Sequence, residues 1–91
     1  FVLKTEMREI EIQIDDKSDQ SRALLSQIGQ LRAARDNPEL SKDTRREARY
    51  QLSQLESLYR SLNQEIETLT RTREAVFVEI DALTTAFYRS L

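Results

Sequence analysis

Across residues 48–87 an apolar or aromatic side chain returns at every third or fourth position, and this pattern restricts the fold more than any other feature. Ala48, Leu52, Leu55, Tyr59, Leu62, Ile66, Leu69, Val76, Ile80, Leu83 and Phe87 follow it, and Arg73 takes one polar slot. Alternating steps of three and four, kept up this long, describe a helix whose one stripe lies along another helix. In heptad terms the a positions are Leu52, Tyr59, Ile66, Arg73, Ile80 and Phe87, and the d positions are Ala48, Leu55, Leu62, Leu69, Val76 and Leu83. Leu58 and Phe77 flank the seam and widen it, which suits a hairpin or bundle better than an isolated two-stranded coil.

The first part of the chain repeats the pattern less cleanly. Leu3, Met7, Ile10, Ile14, Leu24, Ile28 and Leu31 share one frame, but Lys17 and Ser21 fill the two slots between Ile14 and Leu24. Around them runs the charged stretch "DDKSDQSR". This waist reads first as a poorly buried part of a solvated helix. The alternative is a polar layer that fixes register.

Between the two patterns stands Pro38, the one proline. It lacks an amide hydrogen, clashes with the preceding turn and pushes Asn37 out of the helical region. Asn37 and Ser41 are both candidate caps for a new helix, with Asp43 placed for the first turn of the second. The expected organisation is a first coiled-coil helix over 1–36, a turn over 37–41 and a second, longer coiled-coil helix over 42–91, all in one domain. A short connection favours antiparallel neighbours. If facing residues have numbers adding to 76, every a layer meets a d layer and the fold-back centres on Pro38. Lys17 then lies on Tyr59, and Arg73 meets Leu3 near Glu6. Other frames seven residues apart preserve the same a-to-d matching.

Under that pairing the second helix outruns the first beyond Val76. The overhang of about two heptads, roughly 20–25 Å of helix, carries Phe77, Ile80, Leu83, Phe87, Tyr88 and Leu91. Leaving this apolar stripe in water is unfavourable. Residues preceding Phe1 or another chain are expected to cover it, and a start at Phe1 rather than Met reads as a processed form or a fragment. These six side chains are the first candidate partner site. A membrane-surface role is disfavoured, because Glu79 and Asp81 have the wrong sign for anionic lipid.

The chain offers little to catalysis. Among its 91 residues there is no His and no Cys, so the usual nucleophile–base pairs and transition-metal ligands are missing. Its one glycine, Gly29, sits in a helical pattern rather than in a phosphate-cradling loop. Asp15 and Asp16 read as part of a solvated charge run. The expectation is a non-enzymatic protein without cofactor or metal. No run is long and apolar enough for a membrane span, and no signal peptide is evident, which gives an intracellular location by default.

The turn region has a charge character of its own. Residues 32–49 carry six cations and four anions, against a net charge of −2 for the whole chain. Helix-end electrostatics account for part of this. The sharper reading makes Arg35, Arg45, Arg46 and Arg49 a tip that docks on an acidic protein surface or on phosphates, where arginine gives bidentate contacts. Nucleic acid is disfavoured as a partner by the net charge and by the lack of interleaved aromatics near the tip other than Tyr50.

The segment "DNPELS" followed by a heptad helix with a late Phe resembles scaffolding proteins of small tailed phages, which multimerise during shell assembly. The helix–proline turn–helix plan with "YQLSQLESLYRSL" is similar to needle subunits of type III secretion systems, although their glycine- and lysine-bearing C-terminal pattern is not matched. The hairpin plan also resembles the coiled-coil finger of RNA-polymerase secondary-channel factors, but here arginines outnumber the tip acids. None of these resemblances assigns a role to a residue. The expected fold is thus all-α, an antiparallel two-helix coiled-coil hairpin with a longer second helix, completed by oligomerisation or by a partner. The expected function is a structural or interaction module that pairs with itself or with a helical protein in a larger assembly. The alternative is a regulatory or nucleic-acid-associated binding arm that acts through its arginine-rich tip.

Overall fold

The computed structural model describes residues 2–91, with Phe1 outside them. Two helices, α1 (Val2–Asp36) and α2 (Lys42–Arg89), fold back on each other as a hairpin, with no strand among the described residues. The rod measures 74 × 15 × 14 Å. Its long axis matches the 48 residues of α2 at about 1.5 Å each. A radius of gyration of 20.8 Å far exceeds the roughly 12 Å of a compact chain this long.

The turn is built from the residues that stop α1. The Asn37 amide donates to the Ala34 carbonyl at 3.3 Å, tightening the last turn of α1. Asn37 Oδ1 then accepts from the Glu39 amide at 3.0 Å, and the Asn37 carbonyl accepts from the Leu40 amide at 3.3 Å. Asn37 therefore closes the turn, and Ser41 is the residue that caps α2. Ser41 is extended (φ −63°, ψ 158°), and its Oγ accepts from the Thr44 amide at 3.1 Å.

Burial follows one stripe on each helix. On α1 the half-buried or buried positions include Leu3, Met7, Ile10, Ile14, Lys17, Ser21, Leu24, Ile28, Leu31 and Arg35. On α2 they include Arg45, Ala48, Leu52, Leu55, Tyr59, Leu62, Ile66, Leu69, Arg73, Val76 and Ile80. Among the described residues Ile28, Ala48, Leu52, Leu62 and Val76 are the buried ones, and Ile28 is the deepest at 2% exposed.

The register differs from a pairing centred on Pro38. Lys17 Nζ meets Glu65 Oε2 at 2.9 Å, and Ser21 Oγ donates to Asn63 Oδ1 at 3.0 Å. Their residue numbers add to 82 and 84. Arg32 reaches Glu56 at 3.2 Å from a flanking position. Facing seam residues therefore add to about 83, one heptad beyond 76. This frame sets Leu31 level with Leu52, Ile28 with Leu55, Leu24 with Tyr59 and Leu3 with Ile80. Lys17 is thus paired with Glu65 rather than laid on Tyr59. Arg73 shares a groove with Met7 and Glu11 rather than facing Leu3.

The preference has a physical cause. In the frame adding to 76, Leu31 faces Arg45 and Leu3 faces Arg73, so both ends of the seam set an apolar side chain against a guanidinium. One heptad further, both leucines meet apolar partners, Arg73 comes level with Ile10 instead of Leu3, and the two polar slots of the waist gain hydrogen-bonding neighbours. Such exposed or half-exposed polar contacts contribute little stability each.

Two checks follow. Ile28→Ala is expected to cost about 2–5 kcal/mol in urea unfolding. The neighbouring Gly29→Ala, exposed and with nothing within 4 Å of an added Cβ, is expected to add about 0.5–1 kcal/mol. For the register, cysteines replacing Leu24 and Tyr59 should oxidise within one chain. Cysteines replacing Leu24 and Leu52 should not, since one heptad displaces the partners by about 10 Å. The opposite outcome would restore the frame adding to 76.

Candidate interaction surfaces

Two surfaces lie at opposite ends of the rod. At the tail, α1 covers α2 as far as Ile80, which is half-buried, and every residue from 81 to 91 is exposed. Leu83 and Phe87 continue the heptad stripe there, 58% and 61% exposed. Tyr88 packs edge-on against Phe87, ring centroids 5.7 Å apart. Leu91 lies past the end of α2 and is the most exposed of these apolar residues. The Thr84 hydroxyl donates to the Ile80 carbonyl at 2.9 Å, so its polar group is turned back onto the helix. Asp81 and Arg89 are the only charges in 81–91.

The one-heptad shift in register changes which candidates belong to this end. Phe77 does not project past α1. It lines a groove with Met7, Glu11 and Arg73, although its ring remains largely exposed. The uncovered segment is therefore 81–91, shorter than the expected overhang that starts after Val76. Ile80 marks its inner edge, and Leu83, Phe87, Tyr88 and Leu91 lie within it.

At the tip the arginines divide into two groups. Arg32 pairs with Glu56 at 3.2 Å. Arg35 grips the carboxylate of its neighbour Asp36 through two nitrogens, Nε at 2.9 Å and Nη2 at 3.1 Å. That hydrogen bonding holds the Asp36 carboxyl below its ordinary value against an opposing effect of desolvation, with still lesser downward pulls from the charges of Arg35 and Arg49. Arg45, Arg46 and Arg49 form the second group, and Lys42 joins them in lining one cleft. None of these four makes an ion pair among the described residues. Arg45 is half-buried, and its Nε is enclosed without an acceptor.

The structure thus separates Arg35, which is committed to a carboxylate, from Arg45, Arg46 and Arg49. It also adds Lys42, which reading the arginines alone overlooks. The signal was in the spacing. Residues 42, 45, 46 and 49 are related by steps of three, four and seven, which set them on one side of a helix. At about 100° per residue they occupy a sector roughly 100° wide, with Asp43 and Glu47 outside it.

No described helix is long and apolar enough to cross a membrane. Comparison with family models, curated proteins and solved structures finds no match to this chain.

Because Arg35 and Asp36 are adjacent, their pairing persists in part when the chain unfolds, so it does little to hold the fold. Its signature is in titration. Asp36 has a depressed folded value, so any stability tied to it is present above the unfolded value and is lost as pH falls through the folded one. In Arg35→Ala the Asp36 carboxyl resonance should titrate at higher pH than in the unaltered chain, with helicity unchanged. An unmoved midpoint would show that the guanidinium is not its main partner.

Proposed function

We propose that this chain is a non-enzymatic structural and interaction module. In this reading the hairpin is an antiparallel coiled coil, and its C-terminal seam pairs with a further helix during assembly of a larger complex. The observation that carries the reading is the continuation of one heptad frame past the end of its cover. Ile80, Leu83 and Phe87 keep the phase of the seam that buries Leu52, Leu62 and Val76, and among the described residues α1 reaches only Val2, level with Asp81. Each large apolar side chain that a partner helix buries gains about 1.5–3 kcal/mol. A pair such as Leu83 and Phe87 therefore gives a helix of matching period a definite place to dock.

The covering stripe is a helix with apolar side chains, from residues preceding Phe1, from a second copy or from another protein. The scarcity of charge in 81–91 leaves partner choice to shape rather than to salt bridges.

The chain ending at Ile80 is expected to retain the hairpin and to sediment as a monomer. The full chain is expected to show a larger, concentration-dependent mass, or to bind a partner helix that the shortened chain does not hold. Leu83→Glu with Phe87→Glu should reproduce the loss without shortening the chain. Equal masses and equal partner retention for all three forms would remove the tail from the function.

A further inference from the structure

The tip holds a feature that pairing at the tail does not explain. Lys42, Arg45, Arg46 and Arg49 enclose a single cleft on one side of the first two turns of α2. Several of the carboxylates around the tip have other partners or lie on another face. Asp36 is held by Arg35 through two hydrogen bonds, and Glu56 is held by Arg32. Glu47 accepts from Gln51 at 3.1 Å, and both Glu47 and Asp43 lie outside the cationic sector. Elsewhere on the rod, Lys17, Arg22 and Arg71 each find a carboxylate. Four cations packed within eight residues repel one another, and the enclosed N–H of Arg45 has no acceptor. An unsatisfied buried donor of this kind is destabilising, and an oxyanion in the cleft would relieve the repulsion among the four cations.

We propose that this cleft binds clustered phosphate groups. The fork geometry of three guanidiniums favours a ligand that offers oxygens in several directions, which a tetrahedral phosphate does and a single planar carboxylate does not. The footprint also limits the ligand's size. The stripe spans about 10 Å along the helix, with Asp43 and Glu47 on the adjoining face and a net acidic segment on either side of residues 32–49. A long polyanion lying on the tip meets those carboxylates, whereas a compact one with two or three neighbouring phosphates does not. The site stands apart from the tail, so each proposal fails or holds without the other.

The test uses the full chain with sodium tripolyphosphate as the probe. Binding is followed by calorimetry and by the arginine Nε–H resonances. The expected result is saturable binding that shifts the Arg45 resonance and weakens as salt is raised. Arg45→Gln, Arg46→Gln and Arg49→Gln should each lower affinity by roughly tenfold, while Arg60→Gln and Arg71→Gln, away from the tip, leave it unchanged. Circular dichroism establishes that each variant remains helical, and conservative Arg→Lys variants retain more affinity than Arg→Gln. Phosphatidylcholine vesicles doped with a phosphatidylinositol bisphosphate distinguish the source. Co-sedimentation that depends on the tip assigns the phosphates to a lipid headgroup, and tripolyphosphate binding without it assigns them to a soluble ligand. Poly-glutamate binding as tightly as tripolyphosphate overturns the proposal in favour of an acidic protein partner. Binding that is equal in the Arg→Gln variants, or no binding of either phosphate probe, also overturns it.

Discussion

Two helices can hide only the stripe they turn toward each other, and the rest of this molecule follows from that limit. Each helix has a single neighbour, so its seam side chains are shielded from two sides at most. That is why five of the described residues are buried and why most seam positions remain half-open. A small core of this kind derives its stability from many modest contacts spread along the rod. Length therefore does the work that depth does in a globular domain.

The waist shows how such a rod settles its alignment. Apolar seams are forgiving, because a shift of one heptad replaces one a-to-d layer with another of similar type. Lys17 and Ser21 are less forgiving. Opposite Glu65 and Asn63 they find partners at 2.9 and 3.0 Å, whereas a frame one heptad away leaves them among Leu55 and Tyr59. The polar layer contributes little to stability and more to discrimination between alignments. Arg45 acts in the same direction by disfavouring the alignment that puts Leu31 across from it.

The hairpin was legible because its signals are local. Pro38, the capping hydroxyl of Ser41 and the unbroken three-and-four spacing each act within a turn or two of chain. Register was not, since a heptad repeat is the same after seven residues and its choice depends on side chains far apart in sequence, such as Lys17 and Glu65. That ambiguity moved the inner boundary of the exposed tail from Val76 to Ile80 and returned Phe77 to the neighbourhood of Met7. At the tip, composition showed an excess of arginine. It could not show which of them were already neutralised, because Arg35 finds its carboxylate next door and Arg32 finds one 24 residues away. Lys42 entered only when spacing was considered together with residue type.

The straightness of α2 has a consequence of its own. One uninterrupted helix of 48 residues runs from beside the basic cleft to the exposed tail, so the two ends are held at a fixed separation and a fixed relative azimuth. The molecule is in this sense a ruler. Adding seven residues to both helices lengthens it by about 10.5 Å while returning each face to nearly the same direction, whereas adding three or four to each moves the tail stripe around the axis by tens of degrees. The partners proposed for the two ends would thereby be told both how far apart to stand and which way to face.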